Sequence, residues 1–203
     1  MQKNIICFYH EYEEYGCFSN WYKAEFEYAR RIFSSVEQYM MYHKVLLFRE
    51  YDLAEKILST DAPAIIKRLG QSKIEGFDSA LWDKVSKQIV KRGIRAKFEQ
   101  NEGLLEILLN TRDFVLAEAS ANDKKWGIGV AVDNEDRYDT SKWSGKNLLG
   151  RILMEVRDEL RTAKNKGSLG YIDAHDEEFL QCDSAHNSLI SNERIDRIDF
   201  RVS

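Results

Sequence analysis

Glu37 and Lys44, seven positions apart, are the two residues of this sequence best suited to acid–base or nucleophilic chemistry. A helix advances about 100° per residue, so seven positions make nearly two turns and place both side chains on one face. Helical side chains lean towards the N-terminus, which lets the lysine extend back towards the carboxylate. Met40 and Met41 lie between them and would form an apolar floor. Such a pair could serve as a salt bridge or as a catalytic site.

Both residues also have ordinary structural interpretations. Ser34 and Glu37 match the capping box, in which a glutamate bonds the backbone amide of the N-cap residue. Lysine is rarely buried, so Lys44 taken alone is typical of a solvated surface residue. On this pattern alone, capping is favoured over catalysis.

Length and composition indicate a globular protein. The chain has 203 residues, enough for one well-buried core and an additional element, and 43% of them are hydrophobic. No stretch approaches the roughly 20 apolar residues that span a bilayer, and the first residues are too short and mixed for a signal peptide. We therefore expect a cytoplasmic protein without a membrane partner.

Charge and cysteine content exclude some classes of function. The net charge of −4 argues against a broad nucleic-acid-coating surface, although it allows a local basic patch that grips one nucleotide or a strand end. Cys7, Cys17 and Cys182 are widely spaced, with no CxxC and no histidine pair at ligand spacing. We expect neither a metal site nor a cofactor.

The elements that must position Glu37 and Lys44 are mostly helical, which predicts an α+β fold dominated by helices with a few short strands. Hydrophobic periodicity and turn residues place strands near 4–9, on both sides of Arg30-Arg31, and at 114–119. Helices are predicted from the Glu37 region to 48, at 52–58, from a cap at Asp61 to Gly70, at 79–100, around 104–109 and at 147–161. The domain is expected to cover residues 1–161, and the polar 162–203 segment to be an extension that is partly ordered at best.

An ordered series of short motifs resembles the NADAR family, the YbiA-like N-glycosidases. The first half of the series contains Phe18-Ser19-Asn20-Trp21, Ser35-Val36-Glu37-Gln38-Tyr39 with Lys44, and Lys97-Phe98-Glu99-Gln100-Asn101. The second half contains Glu118-Ala119-Ser120 with Asp123, Trp126-Gly127-Ile128-Gly129, Trp143, Gly145, Asn147-Leu148-Leu149-Gly150, Leu153-Met154 and Val156-Arg157. No single motif is decisive, but the set in this order, over residues 5–161, is specific.

The resemblance implies a compact YbiA-like domain that cleaves a ribose C1–N bond. It implies one of two substrate classes: ADP-ribose attached to guanine in nucleic acid, or small ribosylamino pyrimidines of riboflavin synthesis. For the first class it implies that Lys44 is a nucleophile forming a Schiff base with the sugar, with Glu37 and Asp123 in the same site. A third interpretation is a non-catalytic module that binds ADP-ribose or a nucleotide. The sequence indicates no protein partner.

Glu37 and the proposed chemistry have conflicting effects on the protonation state of Lys44. A lysine attacks only when neutral, so burial or positive charge must lower its pKa from about 10.4. A nearby Glu37 favours the ammonium form of Lys44 and therefore suits proton transfer better than activation. The sequence leaves this conflict open.

Other candidate residues have both structural and functional interpretations. Asp123 is typical of a turn, Trp126-Gly127 could be core or a base-stacking wall, and Asn147 could cap a helix or help it hold phosphate. The remaining candidates for substrate contact are Phe18, Ser19, Asn20, Tyr39, Arg68 and Gln71.

Overall fold

The computed structural model describes residues 4–169. Six helices account for most of this part of the chain: α1 (Val36–Leu47), α2 (Tyr51–Leu58), α3 (Pro63–Gly70), α4 (Ser79–Gln100), α5 (Glu102–Asn110) and α6 (Leu148–Lys166). The strands are β1 (Ile5–Phe8), β2 (Phe26–Tyr28), β3 (Arg31–Phe33) and β4 (Val115–Glu118). The predicted α+β, predominantly helical class is confirmed.

The strands form two separate pairs within the described residues. β1 is parallel to β4, with Ile5 opposite Val115 and Phe8 opposite Glu118. β2 and β3 form an antiparallel hairpin. The parallel pair packs against α6, so the carboxyl end of β4 is fixed between β1 and this helix.

Helix α1 is the centre of the domain and packs against α2, α3 and α4. It is buried on almost every side, and the ring of Tyr39 packs against Phe33 and across Gly93 of α4. A Cβ on Gly93 would lie 2.7 Å from Tyr39 Cδ1, so this glycine allows the two helices to approach rather than weakening α4.

Two predicted helix boundaries were wrong. Asp61 does not cap α3: the N-cap residue is Ala62, without a side-chain cap, and the Asp61 carboxylate bonds Lys23 Nζ at 2.6 Å. Helix α6 continues five residues past the predicted end at Arg161, because 162–166 keep helical geometry until Gly167 adopts φ 67°. Most of the predicted extension 162–203 lies outside the described residues.

No helix in residues 4–169 has both the length and the apolar character that a bilayer span requires.

Candidate active site

A pocket of about 240 Å³ opens between the start of α1, helix α3 and the end of β4. Its lining combines carboxylates, lysines, tryptophans, methionines and small polar groups. The lining residues are Ser19, Asn20, Trp21, Glu37, Met40, Met41, Lys44, Lys67, Gln71, Trp82, Glu118, Asp123 and Trp126.

Glu37 reaches this pocket because the helix cap uses its neighbours. The N-cap residue is Ser35, whose hydroxyl accepts from the Gln38 amide at 3.2 Å, and Gln38 Oε1 accepts from the Ser34 amide at 2.7 Å. The proposed Ser34–Glu37 capping box was therefore one residue out of register. The carboxylate of Glu37 is left free for the cavity.

The Glu37 carboxylate lies in a desolvated environment. The residue is 4% exposed, and within residues 4–169 no donor bonds its carboxylate. Desolvation raises its pKa to about 7; Lys67 and Lys44 oppose this shift, and Asp123 adds to it. Close to neutral pH, Glu37 can therefore both accept and donate a proton.

Lys44 lies on the next turns of the same helix and is half-buried. Its Nζ donates to the Gly70 carbonyl at 2.7 Å and lies 4.9 Å from the centroid of the Phe77 ring. Burial lowers the pKa of Lys44; Glu37 opposes this shift and Lys125 adds to it. Burial thus favours the neutral amine, the form in which a lysine is a nucleophile.

Asp123 is held by the loop that follows β4. Its Oδ1 accepts from the main-chain amides of Lys125 at 2.9 Å and Trp126 at 2.7 Å. The turn-forming interpretation of this residue is therefore realised, and the same turn aims the carboxyl group at the pocket.

Glu118 is a third carboxylate in the pocket, and it was not among the predicted site residues. It ends the buried strand β4, and its Oε2 is buried with no hydrogen-bond partner in the described part of the chain. Desolvation raises its pKa to about 8; Asp123 and Glu37 add to the shift, and Lys67 opposes it. The signal in the sequence was an acidic residue at the carboxyl end of a buried parallel strand, a frequent position for ligand-binding groups.

Each tryptophan of the pocket has a lysine near its ring. Lys67 Nζ lies 5.4 Å from the Trp21 ring centroid and Lys125 Nζ 5.4 Å from that of Trp126. Lys44 Nζ is 6.0 Å from the centroid of Trp82. Aromatic surfaces beside positive charges suit a ligand with both a base and phosphates.

The structure brings together seven of the predicted site residues, namely Lys44, Glu37, Asp123, Ser19, Asn20, Trp126 and Gln71. Asn20 is 8% exposed, and its Oδ1 has no hydrogen-bond partner within residues 4–169. A bound ligand that donates a hydrogen bond would satisfy this oxygen.

The other predicted contacts lie outside the pocket lining. The Phe18 ring packs against Phe8 and Phe98, Tyr39 belongs to the core beneath α1, and Arg68 is not part of the lining. Packing in the core explains why these aromatic side chains face away from the cavity.

Asn147 and Gly127 support the wall of the pocket from behind. Asn147 Nδ2 donates to the Leu116 carbonyl at 2.8 Å, and its Oδ1 accepts from the Glu118 amide at 3.2 Å. A Cβ on Gly127 would lie 2.9 Å from the Asp123 carbonyl oxygen, so a larger residue would displace the loop. Both residues therefore help to fix the positions of the two carboxylates, and neither belongs to the pocket lining.

Lys97 holds the part of the pocket wall that contains Ser19. This side chain is 1% exposed, and its Nζ donates to the carbonyls of Cys17 at 2.7 Å and Ser19 at 3.1 Å. These bonds hold the segment that leads into Asn20 and Trp21. Desolvation lowers the pKa of Lys97 to about 7, although Cys17 opposes the shift.

Within residues 4–169, no set of three or more histidine, cysteine or acidic side chains is arranged to hold a metal ion. The ionisable side chains of the pocket lining are Glu37, Glu118, Asp123, Lys44 and Lys67.

Comparison with known proteins identifies relatives that share most of this domain. The N-glycosidase R617 of Acanthamoeba polyphaga mimivirus is 40% identical over 149 residues, which is 70% of this chain and 86% of the relative. The N-glycosidase YbiA of Escherichia coli K12 is 31% identical over 164 residues, 81% of this chain and 93% of YbiA. A maize relative named riboflavin biosynthesis protein PYRR, chloroplastic, is 28% identical over 78% of this chain, which covers 26% of that longer protein.

The fold agrees with these sequence relationships. The solution NMR structure of E. coli YbiA superposes with a TM-score of 0.66 at 30% identity, covering 86% of this chain and 93% of YbiA. The NADAR domain model matches residues 7–161, which contain all of the pocket residues described above. The chain is therefore a member of the NADAR domain family.

Proposed function

We propose that this protein is an N-glycosidase that hydrolyses a ribose C1–N bond and removes ADP-ribose from ADP-ribosylated guanine in nucleic acid. One observation carries the proposal. Glu37 and Lys44 share a pocket in which desolvation shifts both pKa values towards the neutral forms. The N-glycosidase activity named for R617 and YbiA supports the same reaction type.

The proposed reaction begins with attack of the neutral Lys44 amine on C1 of the ribose. As the C1–N bond breaks, positive charge develops on C1 and the ring oxygen, and the nearby carboxylates stabilise it. The bonding electrons leave on the base nitrogen, which takes up a proton. Glu37 accepts the proton that the attacking amine releases.

The second half of the reaction releases the sugar. The C1–ring-oxygen bond opens, the ring oxygen receives the proton held by Glu37, and a protonated imine joins Lys44 to C1. Water then adds to C1, the amine departs, and ADP-ribose leaves as the aldehyde that recloses to the ring form. The net change is addition of one water across the C1–N bond.

The conflict between activation of Lys44 and the nearby Glu37 is reduced in this arrangement. A carboxyl group with a pKa of about 7 is partly protonated at neutral pH, and in that state it does not hold Lys44 as an ammonium ion. Lys125 and burial both act to lower the pKa of Lys44. Glu37 therefore suits the role of proton shuttle.

The lysine–tryptophan pairs support a nucleotide-containing substrate. Lys67 supplies positive charge in the pocket lining, whereas Lys125 lies outside the lining and pairs with Asp83. Trp21 and Trp126 supply surfaces on which a base can stack. These groups are local, which fits a protein with net charge −4 that recognises one modified nucleotide rather than a long duplex.

The second candidate substrate is a ribosylamino pyrimidine of riboflavin synthesis. The likeness to the maize riboflavin biosynthesis protein favours it. A small substrate of this kind would use the same carboxylates and amine but would need fewer of the lysine–tryptophan pairs.

The test is a side-by-side assay of ADP-ribosylated guanine DNA and a ribosylamino pyrimidine phosphate with one enzyme preparation. We expect release of ADP-ribose from the DNA, and loss of that release in Lys44→Ala. Arg68→Ala is the matched control, since Arg68 lies outside the pocket lining. Faster turnover of the pyrimidine would assign the second candidate. Tight ADP-ribose binding by calorimetry without turnover of either compound would identify a binding module instead.

A further inference from the structure

Glu118 is a pocket carboxylate to which the reaction above gives no individual role. Its main chain is held on both sides, because its amide donates to Asn147 Oδ1 and its carbonyl accepts from the Ile128 amide at 2.9 Å. Its side chain contributes to the pocket lining, and Oε2 is buried without a hydrogen-bond partner in the described residues. A carboxyl group that lines a cavity and has a buried oxygen without a hydrogen-bond partner is unusual for a purely structural residue.

The reaction needs a proton donor on the side from which the base departs. When C1–N cleavage places an electron pair on nitrogen, an acid beside that nitrogen lowers the barrier by protonating it. The nucleophile attacks C1 from the other face of the ribose. The donor must therefore be a group other than the one that serves Lys44.

The charge interactions in the pocket separate these two roles. Glu37 interacts electrostatically with Lys44 and with Glu118. Glu118 is coupled to Asp123, Glu37 and Lys67, whereas Lys44 is coupled to Glu37 and Lys125. Lys44 comes from α1 and Glu118 from the end of β4, so different elements of the fold bring the two groups to the pocket.

Building on the proposed N-glycosidase function, we propose that Glu118 is the general acid that protonates the departing base, while Glu37 handles the proton of Lys44. The carboxyl proton of Glu118 passes to the base nitrogen as the C1–N bond breaks. The resulting carboxylate takes a proton from the water that adds to C1, which returns Glu118 to its starting form. No further reactant is required.

The pKa values of the two carboxyl groups support this division of roles. The pKa of Glu118 is raised to about 8 by desolvation, Asp123 and Glu37, against the opposing effect of Lys67, so this group is protonated at neutral pH. The pKa of Glu37 is raised to about 7, so Glu37 is the first of the two to ionise as the pH rises. Because the two groups are coupled, activity should report apparent pKa values of the pair.

The experiment compares two substrates that carry the same ADP-ribose but different leaving groups, guanine and 4-nitrophenol. Nitrophenolate departs without protonation, and guanine does not. We expect Glu118→Gln to lower the single-turnover rate of C1–N cleavage on the guanine substrate by about 10²- to 10⁴-fold. The first-turnover release of nitrophenolate should stay near that of the unsubstituted enzyme, because that cleavage step does not use the Glu118 proton. Glu37→Gln is the matched control and should impair both substrates.

Equal loss on both substrates in Glu118→Gln, or no loss on either, would overturn the assignment. The pH profile gives a second readout: kcat/KM on guanine should fall above about pH 8, and this alkaline limb should disappear in Glu118→Gln. If Glu118→Gln keeps the fall of kcat/KM above pH 8, the proposal is rejected. This readout uses the guanine substrate alone and does not depend on turnover of the nitrophenyl compound. Absence of activity on every ribose N-glycoside in the unsubstituted enzyme would instead refute the proposed function itself.

Discussion

Lys44 and Lys97 occupy two desolvated regions of the same domain, but their surroundings differ in one decisive respect. Burial lowers the pKa of both side chains. Lys97 is enclosed by the core and donates to two main-chain carbonyls, those of Cys17 and Ser19. Lys44 donates to one carbonyl, that of Gly70, and borders a cavity that also contains Glu37.

A lowered lysine pKa does not by itself identify a nucleophile. Lys97 has the lowered pKa but lies outside the cavity lining, so it can act only by positioning the Ser19–Trp21 wall. Lys44 combines a lowered pKa with access and with a carboxyl group able to move its proton. The two lysines therefore differ in whether a substrate atom in the cavity can reach the amine.

The largest effect should come from removing the amine at the cavity. Lys44→Ala should lower kcat by about 10³-fold or more, because loss of a nucleophile eliminates the covalent route. The cost to stability should be only about 1 kcal/mol, since one hydrogen bond to Gly70 is lost. Release of ADP-ribose and thermal unfolding measure the two quantities. Full turnover in Lys44→Ala would show that Lys44, like Lys97, is not the nucleophile.

Replacing the enclosed lysine should mainly affect stability. Lys97→Met leaves the carbonyls of Cys17 and Ser19 without their donor and should lower the free energy of unfolding by about 1–3 kcal/mol. The loosened wall should raise KM more than it lowers kcat. Chemical denaturation with steady-state kinetics tests both effects, and a kcat loss as large as that of Lys44→Ala would contradict the positioning role.

The pH dependence of stability offers a sharper test of Lys97. With a folded pKa of about 7, lower than its unfolded value of about 10.4, the native state binds fewer protons than the unfolded state between these values. Stability should therefore gain a positive contribution as the pH rises from 7 to 10, and Lys97→Met should lack it. Identical pH slopes in both proteins would show that Lys97 is not desolvated.

The contribution of Glu37 to the pH dependence of stability should have the opposite sign to that of Lys97. The folded pKa of Glu37 is raised to about 7, so the native state binds more protons than the unfolded state above about pH 4.3, and stability falls as the pH rises to 7. Glu37→Gln should therefore raise the free energy of unfolding by about 1–3 kcal/mol at pH 8, with the advantage fading towards pH 4. Denaturation at both pH values measures it, and an equal change at pH 4 and pH 8 would argue against a titrating group.

The smallest expected effect is a change in KM that distinguishes Lys67 from its neighbour Arg68 on α3. Lys67 lines the pocket beside Trp21, whereas Arg68 does not line it. Lys67→Ala should raise KM for the ADP-ribosyl substrate by about tenfold, a loss of about 1.4 kcal/mol of binding, while Arg68→Ala should leave KM unchanged. Equal effects of the two substitutions would mean that binding responds to overall charge rather than to the pocket.

The fold was largely predictable because its helices have strong local signals. The apolar spacing of Leu81, Val85, Ile89 and Ile94 predicted α4 with the bounds that the structure has. The predicted cap of α1 failed by one residue, since Ser34 and Ser35 offer equivalent local chemistry and only packing decides which of them becomes the N-cap.

The two site residues that lie on one helix were easier to predict than those that tertiary contacts bring to the pocket from other elements. Helical spacing predicted that Glu37 and Lys44 share one face, and the resemblance to the NADAR family led to their assignment as site residues. Glu118 and Lys67 come from β4 and α3, and no local pattern states that these elements meet. Tyr39 was predicted as a substrate contact, but it follows Glu37 by two residues, about 200° around the helix, and its ring packs in the core against Phe33.

The most direct test is borohydride reduction of the enzyme during turnover of ADP-ribosylated guanine DNA, followed by peptide mass spectrometry. Reduction of an imine would leave the sugar covalently attached, and we predict this adduct on Lys44, with none on Lys97. Active enzyme that yields no adduct on Lys44, or an adduct on another lysine, would contradict the assignment of Lys44 as nucleophile.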